Sequence, residues 1–239
     1  MKTIGIIGGM SWESSAEYYR IINQIVNQQL GGVHSARIVM YSVNFGEIER
    51  LQHLNDWTAL TMMMIDAAGR LERAGADLVL IGTNTMHKMA EEVASSIAIP
   101  LLHIADAAGA EITRMGLNKV GLLGTRFTME QDFYRGRLQQ RFGLEVLIPD
   151  EDGRDLVHRV IYQELVLGVF REESRTAFRG VIGNLAAQGA QGIILGCTEI
   201  PLLVKPEDSS LPLFDTTRIH AEAAVGMALA GTVLLPEKE

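Results

Sequence analysis

The chain has 239 residues, 47% of them hydrophobic and 21% charged, which suits one large globular domain or two modest ones. Its formal net charge of −8 lacks the basic footprint of a nucleic-acid binder, although local donors can still hold a small anion. A single cysteine, Cys197, excludes an intrachain disulfide and a cysteine-based zinc cluster.

Residues 4–7 form a β-branched run beside Gly8 and predict a strand from the very start of the chain. That start has no secretory leader pattern, and no apolar run reaches the ~18 residues of a membrane span. The expectation is a cytoplasmic protein without membrane or nucleic-acid partners. Residues 13–29 then show apolar positions at helical spacing, residues 38–43 predict a second strand, and residues 58–74 a second helix. Strands follow at 78–81, 120–123 and 193–195, with helices at 130–142 and 174–188. Apolar runs of this kind suit strands buried on both faces of a parallel sheet. The alternation predicts an α/β protein.

The chain also repeats. Ile4-Gly5-Ile6-Ile7-Gly8 returns as Val120-Gly121-Leu122-Leu123-Gly124. Ala74-Gly75-Ala76-Asp77 and its following strand return from Gln188 onward, and Ile99-Pro100-Leu101-Leu102 returns as Leu211-Pro212-Leu213-Phe214. Three matches in order, each offset by about 115 residues, imply two similar halves and are too widely spaced for a solenoid. The expected fold is two pseudosymmetric halves, each a mainly parallel sheet flanked by helices, with the active site in the cleft between them. The expected halves are 1–114 with 215–239, and 115–214.

Ligands of such proteins bind beyond the carboxyl ends of the strands. The candidate loops are therefore residues 8–11, 83–85, 125–128 and 197–199. Gly8-Gly9-Met10-Ser11 lets backbone N–H groups approach an anion, and Ser11 is placed to cap a helix; a plain tight turn is the alternative. The glycines do not fit a dinucleotide fingerprint, and no P-loop triplet occurs. Thr83-Asn84-Thr85-Met86-His87 offers hydroxyl and amide groups to a carboxylate or ammonium, or caps a helix. Cys197 ends an apolar strand ahead of Thr198 and Glu199, where a helix N-terminus would lower its pKa and the cleft would expose it; an inert core thiol is the alternative. Its repeat partner is Thr83. Two protic side chains facing each other suit proton removal from one face of a carbon and delivery to the other.

Gly8-Gly9-Met10-Ser11, Thr83-Asn84-Thr85-Met86-His87, Gly124-Thr125 and Gly196-Cys197-Thr198-Glu199 together resemble the aspartate/glutamate racemase family, in its order and spacing from residue 4 to about 222. The resemblance implies two cysteines flanking the substrate Cα, without a cofactor. The second maps onto Cys197; the first maps onto Thr83, because Asn84 and Thr85 match the residues after it. A family lysine is replaced near Val166. An arginine like Arg50 is retained.

The resemblance implies that Cys197 takes the α-proton of L-aspartate or L-glutamate and that Thr83, or a water it holds, returns one. A hydroxyl has no accessible anion at pH 7, whereas a thiol titrates near ~8.5. A catalyst leaves the equal enantiomer ratio unchanged, so the asymmetry falls on kcat and KM separately. Asn84, Thr85, Thr125 and Thr198 would bind the α-carboxylate and ammonium, Met10 and Gly9 would line the entrance, and Arg50 or Gln52 would meet the distal carboxylate. Glu199 and His87 are candidates to tune the carriers, with solvated helix positions as the alternative. His34, His53, His103, His158 and His220 are scattered without ligand spacing, so no metal is expected. The family implies a homodimer. Two rivals stand beside this reading: a one-cysteine malonate-type decarboxylase of the same superfamily, and a non-catalytic amino-acid-binding protein.

Overall fold

The first strand, β1 (Ile4–Gly8), is buried at all five positions, as a strand covered on both faces must be. The computed structural model describes residues 1–230; residues 231–239, which the sequence reading joins to the first half, lie outside the described residues. The described chain divides into two units.

One unit comprises Met1–Leu80, Glu91–Leu102 and the chain from Ala221. Ser11 begins α1 (Trp12–Leu30), its Oγ accepting from the Ser14 N–H at 3.4 Å, so the expected cap is present. α1 buries Tyr18, Ile21, Ile22, Ile25 and Val26 against Ile4, Ile6 and Leu78. Each such side chain contributes about 1.5–3 kcal/mol when fully buried. β2 (Ile38–Ser42) pairs in parallel with β1, and α2 (Phe45–His53) and α3 (Trp57–Arg73) follow. With β3 (Leu78–Ile81) and β4 (Leu101–Leu102) the parallel sheet has the order β2-β1-β3-β4, and α4 (Ala90–Ser95) lies between the last two strands in sequence. The expectation that every strand is buried on both faces fails at β2, which is only half-buried because it is the edge strand.

The other unit comprises Ile81–Ala90 and His103–His220. It holds α5 (Ile104–Arg114), β5 (Lys119–Gly124), α6 (Arg126–Glu130), α7 (Asp132–Phe142), β6 (Glu145–Leu147) and α8 (Glu151–Gln163). α9 (Glu172–Ala187), β7 (Ile193–Gly196), α10 (Ile200–Leu203) and β8 (Leu213–Asp215) complete it, and α11 (Thr216–Leu229) begins there. Its parallel sheet has the order β6-β5-β7-β8, the same order as the first sheet strand for strand. The repeat in the sequence is thus a repeat of topology. Leu122, Leu123, Phe178, Leu185, Ile194 and Phe214 form the centre of its core. The helix expected over 130–142 is α7, which begins two residues later because Gln131 adopts an extended conformation that separates it from α6.

Candidate active site

The register Gly124↔Gly196 ends β5 and β7 side by side, so Thr125 and Cys197 are the next residues of neighbouring strands. Neither glycine tolerates a side chain. A Cβ on Gly124 would sit 2.8 Å from the Gly196 carbonyl, and one on Gly196 would sit 2.9 Å from that of Leu123. The glycines that flank the site residues in sequence are there because the two backbones approach closely.

Cys197 is buried, and its thiol donates to Glu199 Oε2 at 3.0 Å. The Thr198 hydroxyl donates to the same oxygen at 2.9 Å. The thiol is pushed well above its ordinary pKa, first by burial and then by the Glu199 charge and hydrogen bond. The backbone groups of Glu199 and Ile200 pull the other way and are outweighed. This corrects the expectation of a lowered pKa and an exposed sulfur. α10 is only four residues long and starts behind a carboxylate, so the helix terminus does not decide the thiol's charge. Cys197 thus faces a carboxylate oxygen that accepts its thiol hydrogen bond.

Thr83 follows β3 and is half-buried. Its carbonyl accepts from His87 Nδ1 at 2.8 Å, while His87 Nε2 accepts from the Ile104 N–H at 3.1 Å. A ring with one nitrogen donating and the other accepting is neutral in a single tautomer. Burial first, then His103 and His220, hold its pKa well below the ordinary histidine value. His87 and Glu199 are therefore both buried, which corrects the alternative that they are solvated helix positions. His87 braces the Thr83 backbone.

The histidines scattered along the sequence partly converge. The His87 ring lies 4.5 Å from His103 and 5.8 Å from His220, by ring centroids. His103 caps α5, its Nδ1 accepting from the Ala105 N–H at 3.1 Å, and burial followed by Arg137 pushes it down to about 2. Among the described residues no group of His, Cys, Asp or Glu is arranged to hold a metal ion.

Three buried hydroxyls form a ring. Thr85 Oγ1 lies 3.0 Å from Thr125 Oγ1 and 3.4 Å from Thr128 Oγ1, and the last two are 3.2 Å apart. Thr125 also caps α6, accepting from the Thr128 N–H at 3.3 Å. Asn84 Nδ2 donates to Thr216 Oγ1 at 3.1 Å. Of the residues in this unit, Thr128 lies at the end of the candidate loop 125–128 without a role assigned to it, and sequence reasoning did not single out Thr216. The spacing Thr125-x-x-Thr128 puts two hydroxyls at a helix cap and its third residue. No local signal marks Thr216.

The remaining candidates belong to the first unit. Met10 is buried in the loop after β1, where Gly9 has φ +90° and a Cβ on it would fall 2.2 Å from the Val43 carbonyl. On α2, Gln52 is buried and Arg50 is exposed.

A thiol held against a carboxylate, with hydroxyl donors on the adjoining strand end, is equipment for moving protons near an anion. Known proteins resemble the chain over nearly its whole length. The chain is 24% identical over 242 residues to the broad specificity amino-acid racemase RacX of Bacillus subtilis, covering 95% of this chain and 98% of that one. A crystal structure of a candidate Asp/Glu racemase from Yersinia pestis is 56% identical, with a TM-score of 0.89 over 96% of this chain and 100% of that one. An aspartate racemase homologue from Pyrococcus horikoshii OT3 is 36% identical, with a TM-score of 0.82 over 95% and 99% of the two chains. The Asp/Glu/Hydantoin racemase family matches residues 7–224, and the chain belongs to this family of isomerases.

Proposed function

We propose that the protein is a cofactor-independent amino-acid racemase acting on L-aspartate and L-glutamate, with Cys197 taking the α-proton and the Thr83 side returning one. The observation that carries this reading is the Cys197–Glu199 hydrogen bond. A buried thiol is a poor base until something takes its proton, and Glu199 Oε2 is already in position to do so. Proton transfer gives a thiolate beside a carboxylic acid without changing the charge of the pair. The thiolate then removes the α-proton, and the C–H electron pair moves into the α-carboxylate as an enediolate. A proton from the Thr83 hydroxyl, or from water on it, reaches the opposite face. Cys197 keeps the abstracted proton as its thiol, and the proton held on Glu199 passes through solvent to the oxygen left deprotonated at Thr83 or its water, which resets the site.

The hydroxyl ring of Thr85, Thr125 and Thr128 supports carboxylate binding, because hydroxyls that share protons within a ring can turn them toward an anion. Asn84 and Thr198 complete the proposed contacts to the amino-acid head. Met10, Arg50 and Gln52 are proposed contacts on the first unit, Arg50 or Gln52 for the distal carboxylate. A cytoplasmic homodimer is the proposed working form.

The thiol that donates to Glu199 also favours a second reading, a malonate-type decarboxylase in which Cys197 delivers a proton to one face of an enediolate. One experiment separates the readings. The protein is incubated in D₂O with each enantiomer of aspartate and glutamate, and with substituted malonates, while α-deuteration and CO₂ are followed. Deuterium at Cα with formation of the opposite enantiomer, and no CO₂, supports the racemase. CO₂ from malonates without exchange of amino acids overturns it, and binding without either reaction leaves the amino-acid-binding rival.

A further inference from the structure

We propose that Thr216 is a positioning residue that locks the polarity of the Asn84 side-chain amide, so that the site accepts a ligand bearing a donor, an ammonium, on Cα and rejects one bearing an acceptor there. This rests on the amino-acid reading above and identifies what within this unit enforces it.

The argument is a hydrogen-bond inventory. Thr216 opens α11 directly after β8, where Asp215 pairs with Leu195 of β7. Its hydroxyl has one proton, and that proton goes to the Leu195 carbonyl at 2.8 Å. Only lone pairs remain to face Asn84, which lies 3.1 Å away. The amide must therefore present its NH₂ to Thr216, because its carbonyl oxygen there would set two acceptors against each other. Asn84 is 1% exposed, and the other end of its amide, Oδ1, is buried with no hydrogen-bond partner among the described residues. A buried acceptor left unmatched is costly, and a donor on the ligand removes that cost. An α-ammonium supplies such a donor. An α-keto oxygen brings a second acceptor and is repelled. The chain that sets this preference runs from Asn84 through Thr216 to the strand that carries Cys197 two residues further on.

The test compares L-glutamate with 2-oxoglutarate, which share both carboxylates and differ in donor against acceptor at Cα. Binding of each is measured by calorimetry for wild type, Thr216→Val and Thr216→Ser, and KM and kcat are measured for L-glutamate. Wild type is expected to prefer L-glutamate. Thr216→Val frees the amide to rotate, so L-glutamate weakens, 2-oxoglutarate tightens, and their ratio falls by about tenfold or more, the loss appearing in KM rather than kcat. Thr216→Ser keeps the hydroxyl and restores the wild-type ratio. A ratio unchanged in Thr216→Val, or a serine variant no better than valine, overturns the proposal. Equal wild-type affinities overturn it without any variant, so a valine protein that fails to fold leaves it falsifiable. If wild type prefers L-glutamate but exchanges no α-proton, the racemase reading fails while the role of Thr216 stands.

Discussion

Glu199 Oε2 accepts two hydrogen bonds at once, from the Cys197 thiol at 3.0 Å and from the Thr198 hydroxyl at 2.9 Å. One carboxylate oxygen thereby raises the thiol's pKa and offers to take its proton. These two effects part company in Glu199→Gln. The amide carries no charge, so the thiol pKa is expected to fall, although burial keeps it above the ordinary value. The pH profile of alkylation by iodoacetamide reads that change. Without a proton acceptor, α-proton exchange is expected to slow about 100-fold or more. Unchanged exchange in this variant excludes Glu199 as the acceptor.

Thr83 and Cys197 predict an asymmetric enzyme. Cys197→Ala is expected to abolish exchange from either enantiomer. Thr83→Cys supplies a second thiol and is expected to raise kcat from the D-enantiomer about tenfold or more, while kcat/KM stays equal for the two enantiomers because their equilibrium ratio is one. Steady-state rates from both directions check this. A cysteine variant no faster from D than wild type excludes proton delivery from the position 83 side chain.

Removing one hydroxyl from the buried ring separates binding from chemistry. Thr128→Val leaves Thr85 and Thr125 in place and removes a donor for the proposed carboxylate site. KM for L-glutamate is expected to rise about tenfold with kcat changed less, as for the loss of one hydrogen bond to a charged group. A drop confined to kcat contradicts this placement.

The buried histidines tie stability to pH. His87 and His103 stay neutral in the folded protein, the first well below the ordinary histidine pKa and the second down to about 2. Both titrate near ~6.5 once unfolded. Above that pH both states are neutral and nothing is gained. Below it the unfolded chain takes up protons that the folded chain refuses, so stability falls as pH drops, by about 1.4 kcal/mol per pH unit for each histidine. His103→Asn keeps a side-chain acceptor at the α5 cap and removes one histidine's share of the slope. Urea unfolding between pH 7 and 5 is the measurement. An equal slope in the variant shows that His103 is not refused its proton.

Tyr134 predicts a gain. Its ring is fully buried on α7, its hydroxyl has no hydrogen-bond partner among the described residues, and burial pushes its pKa well above the ordinary phenol value. Tyr134→Phe removes an unmatched polar group and is expected to stabilise the protein by about 1 kcal/mol in urea unfolding. A loss of stability shows that the hydroxyl has a partner in solution.

Much of this was legible in residue order. Parallel strands buried on both faces must be apolar at every position, so residues 4–7, 78–81, 120–123 and 193–195 stood out, and β2 misled only in burial because its neighbour is missing on one side. Strand ends carry function in such sheets, which put Thr83, Asn84, Thr85, Thr125, Cys197 and Thr198 on the candidate roll. The helices α2, α4, α5, α8, α10 and α11 were not singled out.

Thr216 lies far along the chain from Asn84, and only the β7–β8 pairing brings its hydroxyl to the Leu195 carbonyl. His87, His103 and His220 converge for the same kind of reason. By itself the sequence determined where the strands end and which reactive groups stand there, because those follow from local pattern and from a repeat. The carboxylate partner and burial of the Cys197 thiol, the hydrogen-bond partners of His87 and the polarity of the Asn84 amide were decided by tertiary structure alone. Each depends on burial and on donors and acceptors from other segments, and no local pattern encodes such a sum.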